Sequence, residues 1–199
     1  MIEIKNLVKT YGDRVVVDIP ELTINNGECV VLTGHNGSGK STLMKILAGI
    51  TNASEGSVHF DGSLRYLPQQ SLPFNKSVRG NILYVLDGKR ADKTRKCDAI
   101  LEKLKLTHLQ KKNALTLSGG EAQRLALGRV LAKKCDVLLL DEPTSAADTE
   151  SAKLILETID EYRKETGCIL IITTHNKEEA ERIGGRRINL CDGRITDIC

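Results

Sequence analysis

The chain has 199 residues, enough for one domain with a substantial buried core and too few for two ordinary ones. Lys and Arg outnumber Asp and Glu by only 29 to 26, and a net charge of +3 makes no case for nucleic acid or another polyanion as partner. With four Tyr, two Phe and no Trp against 40% apolar residues, the core must be aliphatic, which suits a layered α/β protein.

The opening reads as β-rich. Ile2 to Thr10 alternates, Arg14 to Asp18 is Val-rich, and Glu28 to Thr33 is an apolar run ending at a Gly-rich turn. A helix follows over Thr42 to Ile50, with Leu43, Ile46 and Leu47 at helical spacing and Gly49 with Asn52 closing it. Ser57 to Phe60 and Leu64 to Leu67 read as short strands, and the Asp61-Gly62 turn predicts that they pair as a hairpin. From Ser77 to Leu109 the pattern becomes helical, with Ile100, Leu101 and Leu104 as the apolar stripe; the basic stretch Lys89 to Lys96 reads as a solvated helix face. Leu125, Leu127, Val130 and Leu131 mark another helix, followed by the strand Val137 to Asp141. A helix carrying Ile155, Ile159 and Tyr162 then leads to the strand Cys168 to Thr173. This alternation predicts parallel strands with right-handed crossovers.

No repeat, low-complexity tract or linker is visible. The longest apolar runs, Val137 to Leu140 and Cys168 to Ile172, fall far below the ~18 residues needed to span a bilayer. Met1 to Lys5 lacks the features of a signal peptide, so cytoplasmic residence is expected. Six cysteines (Cys29, Cys97, Cys135, Cys168, Cys191, Cys199) are scattered without a Cys-x-x-Cys pair and read as reduced thiols, mostly core fillers, rather than disulfides or metal ligands.

Gly34-His35-Asn36-Gly37-Ser38-Gly39-Lys40-Ser41 fits the phosphate-binding pattern G-x-x-x-x-G-K-[ST] and lies between a predicted strand and a predicted helix. Its glycines let successive N–H groups point inward, and the helix start adds its positive end. Lys40 would then reach the β and γ phosphates, and the Ser41 hydroxyl would serve Mg²⁺. An ordinary Gly-rich hairpin turn would not ask for Lys and Ser at those places. Such a turn needs an acid at the end of a neighbouring strand, and Val137-Leu138-Leu139-Leu140-Asp141-Glu142 supplies two. Asp141 is the Mg²⁺ candidate, and Glu142 could polarise a water for attack on the γ phosphate. Without the phosphate turn, the same two acids would read as a solvated loop.

Leu117-Ser118-Gly119-Gly120-Glu121 comes next, opening a helix through Ala122-Gln123-Arg124. The order of these segments closely resembles ABC ATPases, the nucleotide-binding domains of ATP-binding cassette proteins, whose signature motif is LSGGE. The resemblance runs from about Ile2 to Ile195. It implies an α/β fold of ABC ATPase type: a P-loop NTPase core with a mainly parallel sheet, an N-terminal antiparallel β part and an inserted helical subdomain over roughly 76–133, all within one domain, 1–199.

The resemblance also implies a Mg²⁺-dependent ATPase of translocase type, with Gly34 to Ser41 and Thr42 holding ATP. Ser118, Gly119, Gly120 and Glu121 would close over ATP held by a second, head-to-tail subunit, an isologous dimer and most simply a homodimer. Tyr11 resembles the aromatic that stacks on adenine. Gln69, after Tyr66-Leu67-Pro68, resembles the glutamine that touches Mg²⁺ and the attacking water, with Gln70 beside it as the other choice. Ser145-Ala146-Ala147-Asp148 resembles the D-loop, with Ala147 where the family usually has Leu. His175 resembles the switch histidine that bonds the γ phosphate and organises water with Glu142.

Family context further implies a separate transmembrane permease, docked at the glutamine loop and Asn75 to Val85, and a peripheral position on the inner face of the cell membrane. The stretch Leu109 to Thr116 lacks the acidic segment common in exporters, which points to an importer or a small bacterial-type exporter. The short interval Gly34 to Ser118, which holds no heptad run, argues against a coiled-coil DNA-repair protein. A regulatory or division-type cassette that acts on a membrane protein without moving a solute is the alternative.

Overall fold

The structure, a computed structural model, describes residues 1–198; the thiol expected at Cys199 lies outside the described residues. The backbone forms two compact units. The first comprises residues 1–66, 135–142 and 166–198, and the second residues 67–134 and 143–165.

In the first unit, β1 (Ile2–Tyr11) pairs antiparallel with β2 (Arg14–Ile24) and with β4 (Glu55–Phe60). The β-rich opening is as expected, though β2 runs on past Asp18 because Ile19, Leu22 and Ile24 keep facing the core. A second sheet has the order β5-β6-β7-β3-β8-β9, built from β5 (Leu64–Leu67), β6 (Val137–Asp141), β7 (Ile169–Thr173), β3 (Cys29–Thr33), β8 (Arg186–Cys191) and β9 (Arg194–Ile198). β6, β7, β3 and β8 are parallel, as the strand–helix alternation predicts, and β8 and β9 form an antiparallel edge hairpin. Every residue of β6 and β7 is buried, the near-continuous apolar pattern of a parallel sheet. The shared core collects Ile4, Leu7 and Ile19 from one sheet, Val30, Leu139 and Ile171 from the other, and Leu43 and Met44 from α1 (Lys40–Leu47).

The hairpin expected between Ser57–Phe60 and Leu64–Leu67 does not form. β4 joins β1, while β5 belongs to the other sheet. The Asp61-Gly62 turn is real, with Gly62 at φ +109°, but it passes the chain from one sheet to the other. The Asp136 carboxylate holds the crossing by accepting from Ser63 N–H at 2.7 Å and Ser63 Oγ–H at 2.9 Å, and a Cβ on Gly62 would collide with it. These bonds, the Ser63 backbone N–H first, hold the Asp136 carboxyl below its ordinary pKa.

The second unit is helical. The segment Ser77–Leu109, expected to be helical, resolves into α2 (Val78–Val85), α3 (Arg90–Lys103) and a short 3₁₀ turn at Thr107–Leu109; Gly88, at φ +105°, lies in the break between α2 and α3. α4 (Gly119–Leu131) packs at Gly128, where an added Cβ would meet Leu104, Ile100 and Ile82 within 2.7–3.1 Å. Most of α5 (Thr149–Thr166) also belongs here. Arg129, with its guanidinium 4.5 Å over the Phe74 ring, donates to the Leu72 carbonyl, Ser71 Oγ and buried Asn81 Oδ1, fixing the segment that follows Gln69. The basic stretch Lys89–Lys96 is mostly exposed, as a solvated face should be. α6 (Lys177–Ile183), β8 and β9, which the sequence reading did not resolve, complete the first unit.

Candidate functional site

The loop Gly34–Gly39 joins the end of β3 to the start of α1. Two of its glycines are sterically required. A Cβ on Gly34, at φ +142°, would lie 2.2 Å from the Leu190 carbonyl oxygen, and one on Gly39, at φ +105°, would lie 2.5 Å from that of Val16. α1 begins at Lys40 with no side-chain cap, so the N–H groups of its first turn, Lys40 to Thr42, are free to take an external acceptor. Lys40 is buried and folds its ammonium back onto the carbonyls of Gly34 (2.8 Å) and His35 (3.0 Å). Burial lowers its pKa, and the Glu142 and Asp141 carboxylates oppose that shift. Ser38 Oγ is buried without a hydrogen-bond partner, an orphan polar atom in the loop wall.

At the end of β6 the two acids have different surroundings. Asp141, 2% exposed, accepts from Thr173 Oγ–H at 2.7 Å and from the Tyr66 hydroxyl at 3.4 Å. Burial and this carboxylate push the Tyr66 phenol well above its ordinary pKa, so it stays a donor. Glu142 occupies the left-handed region at φ +47°, a conformation that a non-glycine residue holds only under constraint. Its N–H donates to Thr173 Oγ1 at 2.8 Å, and its Oε1 lies 3.6 Å from His175 Nδ1. Thr173, wholly buried at the end of β7, thus bridges both acids through one hydroxyl.

The first unit therefore gathers the phosphate loop, Lys40, Asp141, Glu142 and His175, residues that the sequence singles out as candidates. The sequence reading gave Thr173 and Tyr66 no part in the candidate site, where both bond Asp141. A hydroxyl ending the run Ile169–Thr173 was a usable signal, whereas Tyr66 had served only to locate Gln69. Tyr11 ends β1, 53% exposed, with the Lys9 ammonium 5.0 Å from its ring centroid. Gln69 lies in the exposed segment after β5, within the second unit. Ser118–Glu121 also belong to that unit. Ser118 caps α4 and Glu121 reaches back to the Ser118 N–H at 2.8 Å, a reciprocal capping box, which holds the Glu121 carboxyl below its ordinary pKa. A Cβ on Gly119 would lie 3.1 Å from the Ala146 carbonyl oxygen, so the signature turn rests on the Ser145–Asp148 segment.

A model of the family described as ABC transporter matches residues 17–145. The chain belongs to the ABC transporter family. As a member it is an ATP-binding, ATP-hydrolysing cassette. It is 35% identical over 205 residues to the tungstate uptake system ATP-binding protein TupC of Peptoclostridium acidaminophilum, covering 98% of this chain and 96% of that one. It is 36% identical over 214 residues to the putrescine transport ATP-binding protein PotG of Escherichia coli K12, covering all of this chain but 56% of that one. Among solved structures, the dimeric post-hydrolysis state of the cassette MJ0796 bound to ADP and Pi matches at TM-score 0.90 and 26% identity, over 100% of this chain and 98% of that chain. CbiO1 of Clostridium perfringens, part of the transporter complex cbiONQ, matches at TM-score 0.85 and 26% identity, over 99% and 87%. The cassette's α/β fold, an antiparallel sheet beside a mostly parallel one, agrees with these neighbours. Among its described residues no helix is long and apolar enough to cross a membrane.

Proposed function

We propose that this cassette powers solute import through a separate transmembrane permease, working as a Mg²⁺-dependent ATPase of translocase type in a head-to-tail homodimer on the inner face of the cell membrane. Both compact units would serve one nucleotide-binding domain spanning 1–199, with its helical part over roughly 76–133. The importer direction is supported by relatives named for the uptake of tungstate and of spermidine and putrescine, among them one of nearly this chain's length.

The observation that carries the catalytic reading is the Asp141–Thr173–Glu142 bridge, with Lys40 under the influence of both carboxylates. The uncapped start of α1, the orphan Ser38 hydroxyl and the space that only glycine leaves at Gly34 fit a phosphate chain held by Gly34 to Thr42. Lys40 would exchange its bonds to the Gly34 and His35 carbonyls for bonds to phosphate oxygens. The oxygens of Ser41, Asp141 and Gln69 are the hard donors suited to Mg²⁺, and Asp141, already oriented by Thr173 and Tyr66, keeps lone pairs for it. When bound, the ion neutralises charge on the phosphates. Glu142 and His175 would hold the attacking water. Tyr11 would carry adenine, and the Ser118–Glu121 turn would close over nucleotide held by the other subunit.

Glu142→Gln should retain ATP binding, lose turnover and accumulate as a dimer by light scattering; a variant that turns over normally would place the base elsewhere. A photo-crosslinker at Leu72, which is 84% exposed, tests the partner. Capture of a multi-helix membrane protein supports the importer reading, and capture of a single-span or soluble protein favours a regulatory or division-type cassette.

A further inference from the structure

The ring of His35 is engaged outside the phosphate loop. Its Nε2 lies 3.6 Å from Asp192 Oδ1 and 3.9 Å from Cys191 Sγ, and Cys191 Sγ lies 3.8 Å from Asp192 Oδ2. The three ligand-type atoms are all within 4.8 Å of one another. A tetrahedral zinc ion, with a bond of about 2.3 Å to sulfur and about 2.0–2.2 Å to nitrogen and oxygen, needs donor–donor edges of roughly 3.3–3.6 Å. The observed separations, of which those to Asp192 run to different oxygens of its carboxylate, each differ from those edges by less than about half an ångström, so Asp192 must turn for a single oxygen to serve as ligand. The donors therefore stand close to where such an ion would hold them.

The tautomer is also set. His35 Nδ1 lies 2.8 Å from the Asn36 carbonyl oxygen, which can only accept, so Nδ1 carries a proton and, in the neutral ring that a metal requires, Nε2 is the nitrogen left to bind on the side of Cys191 and Asp192. The scaffold under the donors is fixed as well. Cys191, Asp192 and Gly193 make the turn between β8 and β9, with Asp192 at φ +47° and Gly193 at +80°. Gly193 N–H donates to the Ser38 carbonyl at 2.9 Å and Gly193 C=O accepts from Asp18 N–H at 2.8 Å, tying the turn to the phosphate loop. Ion binding would thus demand little backbone rearrangement. His35 and Asp192 are exposed and Cys191 half-buried, which leaves a path in and a fourth position for water.

We propose that His35, Cys191 and Asp192 form a binding site for a borderline-soft divalent cation of the zinc class, which clips the β8–β9 turn to the phosphate loop. Imidazole with thiolate and carboxylate selects zinc or cobalt over the hard Mg²⁺. Binding releases the Cys191 thiol proton to solvent. His35 and Cys191 are 156 positions apart, so the absence of a Cys-x-x-Cys spacing said nothing about this cluster. The site is independent of the transport reading, because metal binding is read without nucleotide or permease.

The test is titration of chelator-treated protein with Co²⁺, in excess Mg²⁺, followed by displacement with Zn²⁺. Wild type should show a near-ultraviolet thiolate-to-cobalt band and tetrahedral visible bands, and Zn²⁺ at a hundredfold excess over its Kd should raise Tm by about 5–10 °C. Cys191→Ser should lose the thiolate band, and Cys191→Ser and Asp192→Asn should each bind Zn²⁺ at least about tenfold more weakly. Both variants should keep wild-type circular dichroism and wild-type ATP turnover with Mg²⁺ in the absence of Zn²⁺ and Co²⁺, and Cys199→Ser should keep the band. Absence of a thiolate band in wild type, or equal Zn²⁺ affinity in wild type, Cys191→Ser and Asp192→Asn, would overturn the proposal.

Discussion

Replacing Thr173 by Val tests whether one hydroxyl organises both acids. Valine keeps the β-branched shape at the end of β7, so strand geometry and packing are preserved and only the hydroxyl's hydrogen bonds are lost. Two bonds go with it, the 2.7 Å bond to Asp141 Oδ1 and the 2.8 Å bond from Glu142 N–H. A buried N–H left without an acceptor costs about 1–3 kcal/mol, and a bond to an ionised carboxylate contributes about 1.5–3 kcal/mol. Because both depend on one atom they overlap, and a net destabilisation of about 2–4 kcal/mol is expected. Glu142 also loses a restraint on its left-handed backbone, so its carboxylate should drift from the position that it shares with His175. A displacement of about 1 Å at a reacting group lowers turnover by roughly a hundredfold. The assay pairs urea denaturation with ATP-dependent phosphate release. Thr173→Val should show a lower midpoint at unchanged slope, with kcat reduced far more than KM is raised, and Thr173→Ser should recover both. Wild-type stability and kcat in the valine variant would refute the bridging role.

Other expectations can be stated briefly. Lys40→Ala should abolish phosphate release, since it removes the ammonium proposed to meet the β and γ phosphates; residual turnover near wild type would remove the loop from the mechanism. Gly34→Ala should lower stability by about 1–3 kcal/mol in thermal or urea unfolding, because its Cβ would meet the Leu190 carbonyl at 2.2 Å in a backbone conformation unsuited to a side chain. The Ser118 N–H lowers the Glu121 pKa in the folded state, so its stabilisation is present above the ordinary value of 4.5 and lost as pH falls through that value and below it. Glu121→Gln should flatten that acid limb in pH-dependent unfolding, with stability at neutral pH lowered by about the amount that wild type loses on acidification and stability at low pH nearly unchanged. Tyr11→Ala should weaken ATP binding by about 1–2 kcal/mol by calorimetry if the ring carries adenine.

What could be read in the sequence depended on how far apart the cooperating groups lie along the chain. The phosphate loop is contiguous, and its glycines, lysine and serine announce the required backbone, so Gly34 to Ser41 was legible as a unit. The strand Val137–Asp141 was legible because burial on both faces leaves an unbroken apolar run ending at its acids. The error at Ser57–Leu67 has the opposite origin. An Asp-Gly turn chemically suits both a hairpin and a passage between sheets, and the choice is made by Asp136, which is 73 positions away from the Ser63 that it holds. Thr173 and Tyr66 escaped for the same reason, since their partner Asp141 is 32 and 75 positions distant.

The two adjacent acids show why position on a strand end separates chemical roles better than residue type. Asp141 is the last residue of β6, buried and already bonded by two hydroxyls, so its carboxylate is fixed and suited to holding a cation in one place. One residue later the chain has left the ladder. Glu142 bends into a left-handed turn, and its side chain is directed to His175, which follows the end of the adjacent parallel strand. The ladder pairs Asp141 with Thr173, so the threonine that orders the first acid also receives the N–H of the second. Register thus couples a rigid metal-type carboxylate to a strained, partly accessible one. A shift of β7 by one residue would turn the Thr173 hydroxyl to the opposite face of the sheet and break both bonds together.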